Sequence, residues 1–345
     1  MLPWFEQPDL PLYLAPMAGF TDTVYRQLCK QEGADVLVSE FVLADSLVRG
    51  TPEAWEEVAF TGDQRPFGTQ IFGSSPKVMA EATVQLSRKL RPDFIDLNFG
   101  CPSDKVTCKD AGSSLLRNPS KLARVATQVV QAGKQEGLPV TAKIRIGWDG
   151  QSIVALEVAR RLEDAGVEAV AIHGRTKEQG YRGQANWDII QEVAEALTIP
   201  VIGNGNVNSA EQVSSIIRNS AIRGVMIGRA ALGYPWIFRE IKATLRTGIP
   251  PQPPTLEERW QTILAYARLL LARPGRDRKQ GDIRWMRPRL IKLTKEMTGC
   301  KRVRGGLQEV TTLKELQALA RQHLHRYRQA DQAIREGMPR IQAFG

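Results

Sequence analysis

The chain has 345 residues, of which 42% are hydrophobic and 24% charged, with 29 Gly, 20 Pro and 4 Cys. This composition is typical of a globular protein and excludes a disordered or collagen-like chain. At roughly 150 residues per domain, the length fits two domains, or one large barrel with an appendage. The formal net charge is +10, from 47 Lys and Arg against 37 Asp and Glu.

The positive charge is concentrated in the C-terminal part. Residues 1–247 hold 27 basic and 28 acidic side chains, a net charge of −1, whereas residues 248–345 hold 20 and 9, a net charge of +11. The basic part predicts a polyanionic partner, with an anionic membrane surface as the alternative. No run approaches about 18 apolar residues and residues 1–9 lack a signal region, so we expect a cytoplasmic protein with no membrane span.

Residues 1–247 alternate between short apolar runs and longer amphipathic stretches, which predicts strand–helix units and a parallel sheet. Helices are expected at 76–90, 119–135, 152–165, 187–197 and 209–218. Eight strands are expected, at 12–15, 36–39, 68–71, 94–97, 140–144, 169–172, 200–203 and 224–227. Eight such units in about 240 residues predict an α/β fold, the TIM (β/α)8 barrel.

The competing architecture is a doubly wound sheet that binds a dinucleotide. Its fingerprint is G-x-G-x-x-G directly after an early strand. Here the first predicted strand continues into Ala15-Pro16-Met17-Ala18-Gly19, which has one glycine and a proline. The fingerprint is absent, so the sequence favours the barrel.

Residues 248–254 contain four prolines and predict a short, stiff linker, because proline neither continues a helix nor joins a sheet ladder. Residues 255–345 then form a basic, all-helical domain. A capping box from Thr255 to Glu258 begins its first helix. A second helix is expected at 283–298, limited or kinked by Pro288 and ended by Gly299, and a third at 313–336.

Basic residues repeat every third position in the second of these helices. Arg284 and Arg287 form one set, and Arg289, Lys292 and Lys295 form another. Each set is expected on one side of the helix. A single such residue is better explained as part of a solvated face, but the net charge of +11 points to a binding surface.

The chemistry of a TIM barrel lies at the carboxyl ends of its strands. Every predicted strand delivers a polar group or a flexible turn there. In chain order these are Pro16, Met17 and Ala18; Glu40; Gln70; Asn98 and Cys101; Lys143 and Arg145; His173; Asn204, Gly205 and Asn206; Gly228 and Arg229. One such residue could simply bind loop backbone. The full set, however, predicts an active site at the carboxyl-terminal end of the barrel, which we call the mouth.

The last two strands predict a phosphate site. Flexible backbone at 203–206 and 227–229 offers free N–H groups, and Arg229 adds a fixed charge. Lys143 suits an electron-rich ring that gains negative charge, as a reduced flavin does.

Cys101 is the candidate for proton transfer. It follows a buried strand in a loop framed by Gly100 and Pro102. A thiol with an ordinary pKa of about 8.5 keeps its proton at neutral pH and can donate it. A nucleophilic pair with His173 lacks a third, orienting group in the sequence.

The other cysteines do not suggest a cluster. Cys29 and Cys300 are interpreted as buried and inert, and Cys108 as a bystander in the same loop as Cys101. None of the four belongs to a C-x-x-C motif, so neither a disulfide framework nor a metal site is expected.

Together these motifs resemble the tRNA-dihydrouridine synthases, a family of flavin enzymes with an FMN-binding barrel and a C-terminal helical domain. The resemblance spans the barrel, whereas the C-terminal part is similar in its helical, basic character. The matching segments are 15–19, 70–73, 96–102 with 105–106, 143–145, 173–176 with 180–181, 203–205 and 226–229.

The resemblance implies FMN across the barrel mouth. Its ring would have Pro16, Met17 and Ala18 at the reactive edge, Gln70 and Lys143 on the polar rim and His173 beside it; its phosphate would meet Asn204, Gly205, Asn206, Gly228 and Arg229. It further implies NADPH as the reductant and a tRNA uridine turned out of its stack, which receives hydride from flavin N5 at C6.

The resemblance also assigns the substrate contacts. Cys101 would protonate uracil C5, while Asn98 and Arg145 would hold the uracil. The basic helical domain, with Arg284 and Arg287, would grip the tRNA backbone. The acting unit is expected to be a monomer.

The chain departs from the family at one position of the phosphate site. The family usually has Asp after the Asn-Gly of the seventh strand, where this chain has Asn206, so a backbone contact is implied there. Two other functions fit the same residues: a flavin barrel that reduces a small pyrimidine or other unsaturated metabolite, and a flavin-free phosphate-binding or RNA-binding protein. The first gives no reason for the net charge of +11.

Overall fold

All strands of the computed structural model, which describes residues 2–218, 220–273 and 281–336, pair in parallel in one sheet. The sheet order is β2-β1-β9-β8-β7-β6-β5-β4-β3, and pairing of β2 with β4 closes a barrel. The TIM barrel is confirmed, and each of the eight predicted strands lies within two residues of an observed one. The strands are β1 Leu12–Leu14, β2 Val36–Val38, β3 Val42–Leu43, β4 Phe67–Phe72, β5 Phe94–Phe99, β6 Val140–Arg145, β7 Ala169–His173, β8 Val201–Asn204 and β9 Gly224–Ile227.

The sequence does not predict β3. This short strand pairs with the end of β4, whereas β2 pairs with its beginning. Leu37 of β2 is in register with Phe67, at the start of β4, and Val42 of β3 is in register with Ile71, near its end. Between them the Ser39 hydroxyl accepts a hydrogen bond from the backbone N–H of Gln70 at 2.9 Å. The side chain therefore replaces part of the backbone ladder, and the interruption places residue 40 at the mouth.

Several helices of the barrel begin at a side-chain cap. Ser75, Asn118, Asn186 and Ser209 each accept a hydrogen bond from a first-turn N–H. The helices predicted at 76–90 and 119–135 are confirmed to the residue. The ends of the other three predicted helices lie within three residues of the observed ends. The helices are α1 Thr23–Gln31, α2 Ala44–Val48, α3 Pro52–Glu57, α4 Pro76–Leu90, α5 Asp104–Thr107, α6 Pro119–Gln135, α7 Ala155–Asp164, α8 Trp187–Ala196, α9 Ala210–Ile217, α10 Arg229–Gly233 and α11 Ile237–Thr247.

Side chains alternate along each strand between the barrel interior and the surrounding helices. Ile95, Leu97, Val170 and Ile172 belong to the large apolar cluster shared with the helices. A second cluster takes the intervening positions and adds the N-terminal segment; its members are Leu2, Phe5, Tyr13, Ala15, Val36, Val38, Phe94, Ala169, Ala171, Ile202 and Met226. The interior is thus apolar at the amino ends of the strands and polar at their carboxyl ends.

The chain forms two compact units: Met1–Ala231 with Ile237–Pro250, and Leu232–Trp236 with Pro251–Gly345. The short segment Leu232–Trp236, which the sequence assigns to the barrel, belongs to the second unit. There the rings of Tyr234 and Trp236 lie 5.7 and 5.6 Å from the Arg259 guanidinium. No helix within the described ranges is long and apolar enough to cross a membrane.

The second unit contains α12 Leu256–Ala272, α13 Arg287–Leu293, α14 Cys300–Glu309 and α15 Leu313–Arg335. The capping box of Thr255 and Glu258 is confirmed, and α15 matches its prediction within one residue. The last stretch of the predicted basic domain, 337–345, and the segment 274–280 lie outside the described residues.

The single helix expected at 283–298 is wrong. Pro288 lies in the first turn of α13, where its missing N–H costs nothing, and α13 ends at Leu293. Glu296 and Gly299 then have φ of 67° and 72°, a left-handed backbone that interrupts the helix. Gly299 precedes α14 instead of ending a longer helix. The sequence does not predict α14, because Gly305 and Gly306 lower its helix propensity.

Candidate active site

Strand register brings the predicted polar residues to one end of the barrel. Gln70 pairs with Asp96, and Asn98 pairs with Lys143. One layer closer to the carboxyl ends of the strands, Arg145 pairs with His173, which pairs in turn with Asn204. Because these positions alternate with apolar residues that face the helices, their side chains converge inside the mouth.

The loop that carries Cys101 is fixed by side chains at both of its ends. Asn98 Oδ1 accepts hydrogen bonds from the backbone N–H groups of Gly100 and Cys101, at 3.1 and 2.9 Å. The carbonyl of Cys101 accepts from the Ser113 hydroxyl at 2.8 Å and from its N–H at 3.1 Å. Gly112, with φ of 61°, lets the chain pass closely, since a Cβ there would lie 3.0 Å from the Cys101 carbonyl.

The Cys101 thiol is held in its protonated form. Burial raises its pKa, against smaller lowering effects of the Ser103 backbone and of the charges on Arg145 and Lys143. The side chain is half-buried, in contrast to the exposed Cys108 farther along the loop. The arrangement therefore favours a proton donor over a thiolate nucleophile.

Gln70 links Asn98 to a buried carboxylic acid. Its Oε1 accepts from Asn98 Nδ2 at 2.8 Å, and its Nε2 donates to Asp96 Oδ2 at 2.6 Å. The other Asp96 oxygen accepts from the Thr141 hydroxyl at 2.6 Å. Burial raises the pKa of Asp96, while the hydrogen bonds from Thr141 and Gln70 oppose the rise. This network fixes both amide side chains, and it leaves Asn98 one N–H for a ligand.

Lys143 contributes a cation to the mouth from β6. Its Nζ donates to Asn204 Oδ1 at 3.3 Å, and Asn204 in turn donates to the Met226 carbonyl at 2.7 Å. Burial, followed by the charge of Arg145, lowers the pKa of Lys143 to about 8. A bound anion would stabilise the charged lysine, so this site is suited to negative charge.

Arg145 is buried and joins two loops by hydrogen bonds. Its Nε donates to the Gly100 carbonyl at 2.9 Å, and its Nη1 donates to the carbonyls of Thr176 and Gly180 at 2.8 and 2.9 Å. Burial lowers its pKa to about 10. In the described part of the chain no acceptor binds its Nη2, which remains available to a ligand.

His173 is neutral and is oriented by Arg175. Its pKa is lowered to about 2 by burial and then by the positive charges of Lys143, Arg145, Arg175 and Arg229. Arg175 Nη1 lies 3.2 Å from His173 Nε2. Because a guanidinium only donates, Nε2 accepts and the ring proton lies on Nδ1.

Asn206 uses its side chain inside the protein. Its Oδ1 accepts from Arg175 Nη2 at 2.6 Å and from the Ala185 N–H at 2.7 Å. Its φ of 55° is left-handed. The neighbouring Gly205 has φ of 126°, and a Cβ there would lie 2.6 Å from Ala185 Cβ and 3.1 Å from the His173 ring. The turn after β8 therefore requires glycine and presents backbone to the mouth.

The turns after β1 and β9 lie beside each other. A Cβ on Gly228 would have Ala15 Cβ at 3.7 Å and Met17 Sδ at 3.8 Å, so the glycine leaves open space between them. The Met17 N–H donates to the Thr21 hydroxyl at 2.9 Å, and Pro16 and Ala18 flank it at this edge. On the other side, the exposed Arg229 lies 4.7 Å from the ring of Tyr181.

The chemistry of the mouth fits a flavin nucleotide. The charges that shift the pKa of His173 are all positive, with no carboxylate among them, so the mouth offers a field that favours an anion such as a phosphate or a reduced ring. Glycine turns at 205 and 228 give room for a ligand to approach backbone. No cluster of three or more His, Cys, Asp or Glu that could hold a metal ion exists among the described residues.

Arg284 and Arg287 lie in the second unit. Arg284 forms a bidentate ion pair with Asp282, at 2.7 Å for the shortest contact. Arg287 is half-buried and donates to the Val310 carbonyl at 3.0 Å. Both guanidinium groups therefore have contacts within this unit.

A family model described as dihydrouridine synthase (Dus) matches residues 13–329. The chain belongs to this family. It is an enzyme, a flavin-dependent oxidoreductase.

Curated relatives agree with this dihydrouridine synthase assignment. The chain is 42% identical over 244 residues to tRNA-dihydrouridine synthase B of Pseudomonas aeruginosa, covering 70% of this chain and 72% of the relative. It is 34% identical over 304 residues to the probable tRNA-dihydrouridine synthase of Aquifex aeolicus, covering 88% and 92%. Among solved structures, 6-hydroxypseudooxynicotine amine oxidase of Pseudomonas geniculata N1 has a TM-score of 0.50 at 13% identity, over 69% of this chain and 48% of that one; this likeness shows the fold alone.

Two residues at the site of this dihydrouridine synthase, Arg175 and Tyr181, were given no role by the sequence analysis. Arg175 joins His173 and Asn206, and it also donates to the carbonyls of Arg182 and Gly183. Tyr181, 56% exposed, lies between the guanidinium groups of Arg145 and Arg229. Both follow β7 in a loop after the histidine, and the only sequence signal is their place in the segments 173–176 and 180–181.

Proposed function

We propose that the chain reduces a uridine of tRNA to 5,6-dihydrouridine with FMN bound at the barrel mouth. The observation that carries the proposal is the Cys101 thiol, kept protonated by burial in a loop that Asn98 and Ser113 fix in place. A protonated thiol beside a cationic ligand site supplies one half of a hydride-plus-proton reduction.

The residues that would hold FMN are those at the mouth. Lys143 and Gln70 would face the polar rim of the ring, with His173 beside it and Pro16, Met17 and Ala18 at the reactive edge. The phosphate would bind at the turns after β8 and β9, through Asn204, Gly205, Asn206, Gly228 and Arg229. When bound and reduced, the flavin supplies the hydride that adds to C6 of the uracil.

Cys101 completes the reduction at C5. The S–H bond breaks as the proton moves to C5, so that one hydride and one proton together saturate the C5–C6 bond. The thiolate that remains lies near the positive charges of Lys143 and Arg145, which stabilise it until it takes a proton from water. The remaining N–H of Asn98 and the Nη2 group of Arg145 would donate to the uracil carbonyls.

The substrate is proposed to be tRNA for two reasons. Relatives at 42% and 34% identity carry the name tRNA-dihydrouridine synthase, and the last 98 residues have a net charge of +11. A basic surface binds a polyanion by releasing counterions, so binding should weaken as salt rises. A small pyrimidine needs no such surface.

NADPH as the reductant, a monomeric acting unit and a cytoplasmic site of reaction complete the proposal. The family resemblance supports NADPH, and the tRNA substrate supports the location. Stopped-flow reduction of the flavin by NADPH and by NADH tests the first, since a faster reduction by NADH would contradict it. Light scattering of the purified protein tests the second.

The deciding experiment measures dihydrouridine in tRNA from cells with and without the gene, and with Cys101→Ala. We expect dihydrouridine to vanish from one or more positions without the gene and to fall sharply with Cys101→Ala, while the purified variant keeps its flavin. Cys108→Ala is the matched control, because this exposed cysteine lies in the same loop. An unchanged dihydrouridine content with Cys101→Ala would remove the thiol from the reaction.

A further inference from the structure

The helical unit contains a cavity that the reaction at the barrel does not use. It has a volume of about 670 Å³ and lies between α14 and α15. Lys301 and Arg302 line it from the first turn of α14, and His323, Arg326 and Tyr327 line it from one face of α15. None of the residues that line it is acidic.

Two cations of the rim, Lys301 and Arg326, have no acidic partner in the described part of the chain. Both are exposed. In addition, the first turn of α14 carries two cations and no acid, opposite to what the helix dipole favours. A second cavity, of about 390 Å³, contrasts with it, because Glu257 and Arg328 pair at 3.3 Å across its lining.

One side of the cavity is formed by an imidazole that two hydrogen bonds fix in place. His323 accepts from Trp260 Nε1 at 2.9 Å through Nδ1 and donates from Nε2 to the Thr298 carbonyl at 2.7 Å. Both ring nitrogens are thus occupied, and the imidazole is held in a neutral, fixed orientation. Gly299 lies beside the imidazole and has no side chain; a Cβ at this position would be 3.2 Å from His323 Nε2.

We propose that this cavity binds one unpaired nucleotide of the RNA substrate, with its base at the Tyr327 and His323 rings and its phosphate at Lys301 and Arg326. Aromatic rings bind an unstacked base through its flat face, whereas a basic rim binds the phosphate without reading sequence. The volume is of the size that small ligand sites have. The inference rests on the proposed function, because it takes the partner of the basic unit to be RNA.

Two double variants with equal charge test the rim. Lys301→Ala/Arg326→Ala removes two cations from the cavity, and Arg304→Ala/Lys314→Ala removes two exposed cations from the same helices outside it. The probe is hexauridylate, a single-stranded RNA, and its binding to the full chain is followed by fluorescence anisotropy at several salt concentrations. We expect about tenfold weaker binding and a smaller salt slope for the cavity pair only.

Tyr327→Leu separates the base from the phosphate. It keeps the charge, so binding should weaken about fivefold or more while the salt slope stays the same. Equal losses in the two double variants would show that bulk charge alone binds the RNA and would overturn the cavity. A Tyr327→Leu chain that binds like the wild type would overturn the base contact.

Formation of dihydrouridine in tRNA keeps the two proposals apart. For the cavity pair we expect a raised KM for tRNA with kcat unchanged, since the cavity contributes to binding and not to chemistry. A wild-type chain that forms no dihydrouridine, yet binds hexauridylate with the expected variant pattern, would refute the proposed reaction and leave the cavity as an RNA site. A chain that forms dihydrouridine, but whose two double variants bind hexauridylate equally, would support the proposed reaction and refute the cavity as an RNA site.

Discussion

Lys143 should make flavin binding depend on pH in a range where the rest of the mouth does not titrate. Its pKa is lowered to about 8 by burial and by the charge of Arg145. His173, with a pKa of about 2, is neutral throughout this range, and Arg145, with a pKa of about 10, remains largely charged up to pH 9. Lys143 is therefore the titrating group between pH 7 and pH 9.

The size of the effect follows from the pKa. With a value of about 8, roughly nine tenths of the lysine is charged at pH 7 and about one tenth at pH 9. A bound anion favours the charged form, so it raises the pKa towards its usual value and binds mainly the charged protein. Flavin affinity should then fall about tenfold from pH 7 to pH 9, which is about 1.4 kcal/mol. FMN therefore binds more weakly as the pH rises.

The assay is FMN binding to the flavin-free protein, followed by the loss of flavin fluorescence at constant ionic strength. Lys143→Met carries no charge, so its affinity should already be low at pH 7 and should change little up to pH 9. Lys143→Arg keeps its charge and should also lack the step. An equal pH dependence in the wild type and in Lys143→Met would refute the assignment of the lysine to the flavin.

Three further outcomes are expected. Asn98→Ala removes three hydrogen bonds, with Gly100, Cys101 and Gln70, two of them buried. It should lower the free energy of unfolding, measured by urea titration, by about 2–3 kcal/mol and slow uridine reduction. Full stability would mean that other contacts hold the loop. Gly205→Ala should lower stability by about 1–3 kcal/mol and weaken FMN binding, because its φ is 126° and its Cβ would meet Ala185; calorimetry and a flavin titration measure both. Uridine reduction should stay constant from pH 7 to pH 8 at saturating flavin, because burial raises the pKa of the Cys101 thiol above its usual range. A rate that falls within this range would indicate an ionised thiol.

The barrel could be predicted because its signals are local. A strand with two buried faces is a short apolar run, and a helix with a Ser or Asn cap and a first-turn proline begins where those residues stand. The helices at 76–90 and 119–135 are of this kind and agree to the residue. Strand ends are local too, so the list of polar groups at the mouth followed once the barrel was predicted.

One predicted helix was wrong and one strand was not predicted, because backbone conformation overrode the local pattern. The helix expected at 283–298 breaks because Glu296 adopts a left-handed conformation that its residue type does not announce. The strand β3 is two residues long and depends on the Ser39 side chain in place of a ladder contact. Neither feature leaves a periodic signal in the sequence.

The barrel, the charge asymmetry and the residues at the mouth could be predicted from the amino-acid sequence alone. The hydrogen bonds among those residues required the folded structure: Asn98 holds the Cys101 loop, and Arg175 rather than a carboxylate orients His173. The cavity between α14 and α15 likewise appears only when the two helices pack. Such contacts join residues that are far apart in the chain, or side chains whose direction is set by closure of the barrel, and no local pattern encodes either.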